Sequence, residues 1–503
     1  MSAETTSLMK YLIINYRWVL VCFFLLPLSF LYNGYFAIRN WIFFKLSSAP
    51  KNHLKKVQSI QKQVQEWNKK GRKKKLCTAR PGWQTMSFRR PAYKNTSHQI
   101  VVDLVDVLEI NLDQRWVEVE PMVTMGQLTT VLNPLGWTIP VVPELDDLTV
   151  GGLVMGTGIE SASHKHGLFQ SICLSYEMVL GDGSVINCSE NENSELFYSV
   201  PWSYGTLGIL TATRIRLIPA KQFIKLKYHA VHGLDKICER FVEASSCSDN
   251  EFVEGILFGP DRAVVMTGNF TDKPEPDKIN CIGKWYKPWF FKHVEKKLNP
   301  YYKNDVEYLP LRDYYHRHTR SIFWEAQDII PFGNNLLFRV LLGWLMPPKV
   351  SFLKLTQTET TKELYENHHV IQDILIPAKH LHKSIKMFHE TLEVYPLWLC
   401  PFYLGQAPGM VHSKSGKSEM YVDVGVYGVP KVLDFKPEKS TRKIEKFAID
   451  HDGYQMLYAD TYTTKEEFRN MFDHKLYDKL RKKLNCEDTF PEVYEKVSRK
   501  ARI

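Results

Sequence analysis

From Trp18 through Ile38 the chain carries no charged side chain for 21 residues, most of them Leu, Val, Phe, Tyr or Ile. No other stretch narrows its possible folds as much. As a helix the run covers roughly 31 Å, about one hydrocarbon core. Trp18, Tyr32, Tyr35 and Trp41 fall near its ends, where amphipathic rings anchor at a membrane interface. Pro27 and Asn33-Gly34 interrupt the run, so a cleaved signal peptide or a kinked interfacial hairpin competes with a span. No small-x-small cleavage pattern follows, which favours a retained single-pass anchor within residues 1–50. Lys and Arg lie mostly after the run, so the positive-inside rule places the main body in the cytosol.

The net charge of +10 suggests a nucleic-acid binder until it is located. Residues 51–75 hold ten Lys/Arg against the single acid Glu66, so this segment carries +9 of the excess. The remainder is nearly neutral, which argues against a nucleic-acid-binding face on the main body. Within the basic segment, Leu54, Val57, Ile60, Val64 and Trp67 recur at helical spacing over 52–70, and Gly71 supplies a stop. The other face carries Lys55, Lys56, Lys62 and Lys69, followed by Arg72 to Lys75. Placed directly after a span, such a face suits anionic lipid headgroups; a merely solvated face is the alternative. The nine cysteines are scattered without Cys-x-x-Cys spacing, suggesting neither a disulfide framework nor a zinc site.

The chemistry concentrates at Thr149, Val150, Gly151, Gly152, Leu153, Val154, Met155, Gly156, Thr157, Gly158, Ile159, Glu160 and Ser161. Four glycines in eight residues let backbone amides approach a ligand closely, and successive N–H groups form a concave site for a phosphate. A glycine-rich turn between buried strands is the plainer alternative. No Lys-Ser/Thr follows to make a P-loop, and Ser161 stands where a dinucleotide fingerprint needs its third glycine. Around this stretch the pattern is short strands and helices. Trp116 to Glu120 alternates, Met125 to Leu135 is helical and ends at Gly136, and Gly181-Asp182-Gly183 joins two strands of a hairpin.

The motifs come in a telling order. Val119-Glu-Pro-Met-Val-Thr-Met-Gly-Gln-Leu leads to Leu148-Thr-Val-Gly-Gly and then Ser163-His-Lys-His-Gly. The Gly-Asp-Gly hairpin, Glu192-Asn-Ser-Glu-Leu-Phe and Gly205-Thr-Leu-Gly-Ile follow. Six weak motifs in sequence over about 145 residues resemble the FAD-binding domain of the vanillyl-alcohol oxidase and p-cresol methylhydroxylase superfamily. Further stretches are similar to the delta(24)-sterol reductases: Pro143-Glu-Leu-Asp-Asp, Tyr286-Lys-Pro-Trp-Phe-Phe, Tyr314-Tyr-His-Arg-His-Thr-Arg, Asp328-Ile-Ile-Pro-Phe-Gly-Asn-Asn and Met456-Leu-Tyr-Ala-Asp. The resemblance runs from the apolar segment to Phe490-Pro-Glu-Val-Tyr.

That resemblance implies an α+β protein. Its parts would be a membrane anchor (1–50), a basic amphipathic helix or linker (51–76), a PCMH-type FAD domain (77–220) and an α/β substrate-binding cap and C-terminal region (221–503). It implies that Thr149–Ser161 contacts FAD, with Gly205 and Gly208 near the same cofactor. It implies NADPH as co-substrate, a sterol with a side-chain double bond as substrate, and residence in the endoplasmic reticulum membrane. Some members of the wider superfamily place a flavin-linked histidine in an early loop. Here that loop reads Arg80-Pro81-Gly82-Trp83, so the FAD is expected to be non-covalent. An oxidase of the same fold acting on a hydroxylated lipid, and an inactive flavin-bound scaffold, are the rival readings.

The second half is rich in aromatic residues, including Trp285, Trp289, Phe323, Trp324 and Trp398, which suits a rigid apolar ligand. Strands are expected near Glu254 and Ala263, and helices over 360–368 and 379–392. Leu336–Pro347 is apolar but too short to span; it suits the membrane surface. His316, His318, His368 and His369 lack the spacing of a metal site. Gly416-Lys417-Ser418 has Val411 where a P-loop needs glycine. The proton donor, and any catalytic side chain, has no signature in the sequence.

Overall fold

The computed structural model describes residues 16–46, 48–80, 91–302 and 305–501. Helix α1, Tyr16–Lys45, is long and apolar enough to cross a membrane. It passes Pro27 without turning into a hairpin. Residues Val21–Leu25 take the wider π form just ahead of Pro27, which has no N–H to give and crowds the carbonyl four residues back. One side of α1 is packed. Val21, Cys22, Leu25 and Leu26 meet Ile329, Ile330, Phe338, Leu345, Phe352 and Leu353. The buried Ser29 hydroxyl donates to Leu25 O at 2.6 Å and accepts from Lys349 N at 2.9 Å. Trp18 stands edge-on to Phe332, and Tyr32 to Phe352. The other side exposes Phe23, Phe24, Leu31, Tyr35, Ile38 and Trp41. Beside it, Leu336, Leu337, Val340, Leu341 and Trp344 of the short apolar run are exposed too.

Helix α2, Ala49–Lys69, buries Val57, Ile60, Val64 and Trp67, the spaced apolar residues, while Leu54 stays exposed. Its buried face lies on protein. His53 bonds Glu120 and Glu177, and Lys56 pairs with Asp106 at 2.7 Å and Glu120 at 2.8 Å. Arg39 of α1 reaches the same Asp106 at 2.6 Å. Lys56 is therefore an internal ion-pair partner, while Lys55, Lys62 and Lys69 face outward.

The surface α2 covers is a five-stranded antiparallel sheet. Its strands are β1 (Val107–Asn111), β2 (Trp116–Val119), β3 (Cys173–Val179), β4 (Val185–Ser189) and β5 (Ile209–Arg216), in the order β1-β2-β5-β3-β4. The β3–β4 hairpin turns at Gly183, whose φ of 89° a side chain would resist. Residues 101–104 are irregular; the adjoining strand is only His98–Ile100, paired with Leu76–Thr78.

A second, eight-stranded sheet follows, with strands β6 (Phe223–His232), β7 (Phe252–Gly259), β8 (Arg262–Thr271), β9 (Val306–Pro310), β10 (Val370–Pro377), β11 (Leu397–Leu404), β12 (Glu419–Gly428) and β13 (Tyr454–Gln455). Their order is β9-β6-β8-β7-β11-β12-β10-β13. Three amphipathic helices, Leu234–Ser246, Leu381–Leu392 and Pro437–Asp450, cover one face through Ile237, Phe241, Ile385, Phe388 and Ile444. The other face meets the glycine-rich segment: Val253 N donates to Ser161 O at 2.8 Å. Every residue of β7 is consequently buried, as expected of a strand covered on both sides.

Candidate functional site

Between the glycine-rich segment and the eight-stranded sheet lies a cavity of about 520 Å³. Its glycine wall is short helix and turn, not an open loop. Residues Val150–Met155 form a single helical stretch that opens on an extended Thr149. Thr149, Gly151, Gly152, Leu153, Met155, Gly156, Thr157, Gly158 and Ile159 line the cavity. Val150 and Val154 turn instead into the core and are fully buried. Glu160 and Ser161 are buried behind the wall, Glu160 on Arg317 at 2.6 Å and Ser161 Oγ against the Tyr314 hydroxyl at 3.0 Å.

The four glycines do different things. A Cβ on Gly151 would stand 2.6 Å from Pro121 Cβ, and one on Gly158 2.8 Å from Leu153 and 2.9 Å from Pro143. Both are glycines because protein packs there. At Gly152 a Cβ would meet only Thr149 Oγ1, at 3.2 Å, so that side opens into the cavity. The amides also differ from the expected concave cluster. Gly151 N–H is taken by Pro121 O at 2.7 Å and Gly156 N–H by Gly152 O at 2.9 Å, so neither is available to a phosphate.

The missing counter-charge comes from elsewhere in the chain. Arg80, Lys94 and Lys496 line the same cavity beside Tyr93, Tyr204, Gly205 and Gly208. Lys94 Nζ donates to Thr78 O at 2.8 Å, and Lys496 Nζ to the Tyr204 carbonyl. Among the described residues neither lysine has a carboxylate partner. Burial pulls both ammonium groups below the usual lysine range, Lys496 to about 8, and lowers Arg80 as well. Two lysines without a carboxylate partner among the described residues, beside an open glycine, suit a diphosphate, since an anion restores the charge that desolvation penalises. These residues thus fit the pyrophosphate of a flavin dinucleotide and add basic side chains to the backbone amides expected there. No local signal marked Lys94 or Lys496. Pro81, Gly82 and Trp83 of the early loop lie outside the described residues.

The sheet wall is of another character. Ile322, Phe323, Val350, Ile371, Trp398 and Tyr427 give it an apolar, ring-rich surface. Phe323 packs on Trp398 and Tyr427 with ring centroids 5.1 Å away in each case. Asp373 is set into this wall, accepting from Tyr427 at 2.6 Å and from the Tyr458 hydroxyl. Burial pushes its carboxyl up to about 6. His316, His318 and His369 have structural neighbours. His316 Nε2 lies 2.7 Å from Thr129 Oγ1, His318 bonds Glu254 at 3.2 Å, and His369 sits 3.1 Å from Glu325. Among the described residues no group of three or more His, Cys, Asp or Glu is arranged to hold a metal.

A family described as "FAD binding domain" matches residues 54–189, which takes in α2 as well as the glycine segment. The chain is 56% identical over 494 residues to the Delta(24)-sterol reductases of Rattus norvegicus and Homo sapiens, covering 98% of this chain and 96% of each relative. Against the Delta(24)-sterol reductase of Arabidopsis thaliana it is 38% identical over 527 residues, 97% of this chain and 92% of the relative. The chain belongs to the delta(24)-sterol reductase family, with a flavin-binding domain of the PCMH type.

Proposed function

We propose that the protein uses NADPH to reduce the side-chain double bond of a sterol, as a step of sterol biosynthesis, with FAD held non-covalently in the cavity. One observation carries the reading: a single cavity joins a diphosphate-compatible cluster of Arg80, Lys94 and Lys496 to a ring-rich apolar wall. Bound FAD would carry the hydride between NADPH and the alkene. The chain's own residues do the rest. Lys94, Lys496 and Arg80 neutralise the diphosphate, and Thr149–Ser161 shapes the surface beside it, with Gly152 leaving room. Phe323, Trp398 and Tyr427 exclude water and fix an apolar side chain against the sheet, since an unactivated alkene depends on positioning.

The same reading takes α1 as a single span in the endoplasmic reticulum membrane, with the main body in the cytosol. The outward side chains of α1 and the exposed Leu336, Leu337 and Trp344 would then share the lipid. The test is mass analysis of products from purified protein given NADPH and a panel of unsaturated sterols. A gain of two hydrogens on the side chain is expected; sterols returned unchanged while NADPH is consumed would refute the reading.

A further inference from the structure

The sheet wall holds a second carboxyl that flavin binding does not use. Asp423 lies on β12 and Asp373 on the neighbouring β10. The register sets Asp373 opposite Gly425 and Leu375 opposite Asp423, so the two carboxyls share one face as diagonal neighbours. Gly425 makes the arrangement possible. A Cβ there would lie 2.5 Å from the Tyr427 hydroxyl and 2.6 Å from Asp373 Oδ1.

The two acids are served unequally. Asp373 is held by two tyrosine hydroxyls. Asp423 lines the cavity, is 2% exposed, and its Oδ1 has no hydrogen-bond partner among the described residues. The titratable groups that act on it are Asp373 and Glu144, both acidic, and burial raises Glu144 as well. Burial, then these two neighbours, hold the Asp423 carboxyl well above the usual range. The shift favours the protonated form of Asp423, and its Oδ1 faces the cavity without a fixed partner among the described residues. Leaving a polar atom unpaired inside a protein costs free energy, and such a cost is commonly met at a site of chemistry.

We propose that Asp423 is the proton donor in the reduction, delivering its proton to one carbon of the substrate's double bond. The inference rests on the sterol-reductase reading above. Reducing C=C takes one hydride and one proton. The hydride comes from the reduced cofactor that NADPH supplies. At Asp423 the O–H bond breaks and a C–H bond forms, the O–H electron pair staying behind as carboxylate. Water restores the proton after the product leaves. An alkene accepting a proton gains positive charge, and the aromatic rings of Phe323, Trp398 and Tyr427, which line the same cavity as Asp423, would stabilise such charge. Asp373, held by its two tyrosines, adds acidic character to the same wall.

The experiment uses full-length holoprotein and the near-isosteric Asp423→Asn. Retained FAD and sterol binding with turnover lowered about a hundredfold or more is expected, the usual worth of a positioned acid. A second readout needs no turnover. Infrared spectra of the wild type at neutral pH should show the carbonyl stretch of protonated, buried carboxyls, with one component lost in Asp423→Asn and that same component kept in Glu144→Gln. Wild-type turnover in Asp423→Asn overturns the proposal. So does an infrared band that disappears entirely with Glu144→Gln, or no such band in the wild type, and these hold even where Asp423→Asn fails to fold. A wild type inactive on every sterol, with the band present, would sink the reductase reading rather than the protonated state of Asp423.

Discussion

Arg317 donates from Nη2 to Glu160 at 2.6 Å, tying the end of the glycine-rich segment to the eight-stranded sheet. The same guanidinium donates from Nε to Glu254 on β7 at 2.7 Å, and all three side chains are almost wholly buried. The neighbouring cation, with burial opposing it, holds Glu254 well below the usual carboxylate range. Arg317→Met should leave two buried carboxylates without a cation and cost about 3–5 kcal/mol. Thermal unfolding monitored by circular dichroism checks this. An unchanged Tm would show that the two halves do not depend on the tie.

The seat of α2 should respond to alkali. Burial alone would lower His53, but its bonds to Glu120 and Glu177 outweigh burial and raise it from 6.5 to about 9. A group raised on folding stabilises fully below its unfolded value and loses that contribution as pH rises through the folded value. Stability supplied by His53 is thus complete below about pH 6.5 and gone above about pH 9. Melting curves across that range should fall more steeply for the wild type than for His53→Gln. Parallel curves would remove His53 as the cause.

Gly152→Val and Gly158→Val should fail in different ways. At Gly152 the added side chain enters the cavity, so the protein should fold with near-normal Tm and lose its flavin absorbance. At Gly158 it meets Leu153, Pro143 and Phe169, so overpacking of about 1–3 kcal/mol should appear as lowered stability first. A yellow, stable Gly152→Val protein would count against placing the cofactor beside this helix.

Flavin should leave the denatured protein. The segment Arg80-Pro81-Gly82-Trp83 contains no histidine to form a covalent link. Acid precipitation followed by filtration is expected to put FAD in the filtrate. Flavin retained on a peptide would reverse this expectation.

What could be read from sequence followed the range of the forces involved. The β3–β4 hairpin and α2 were legible because alternation, helical spacing and turn glycines act over a few residues. The strand at Glu254 and the helices at 360–368 and 379–392 were legible for the same reason. The destination of α2 was not: Lys56 has the same chemistry whether it meets a headgroup or Asp106. Lys94 and Lys496, 402 positions apart in sequence numbering (496 less 94), meet at one cavity only through the fold. Glu160 and Ser161 came with the glycines in the stretch that the resemblance carries over, and in the structure the backbone sends them into the core. Asp423 carried no such signal: one acid in Tyr421-Val-Asp-Val-Gly-Val reads equally as an outward side chain of an alternating strand, and only the fold buries it.

The packed side of α1 bears on how the body is held. A helix joined to its domain by a slack linker works as a leash, and the domain then rotates beneath it. Here Ser29 is hydrogen-bonded to Lys349, and the next residue, Val350, lines the cavity. Arg39 is bonded to Asp106 at the other end of the helix. The helix is thus a strut and not a leash. Whatever fixes its axis also fixes the compass bearing of the cavity, and a truncation that removes it strips a wall from the fold instead of cutting a cord.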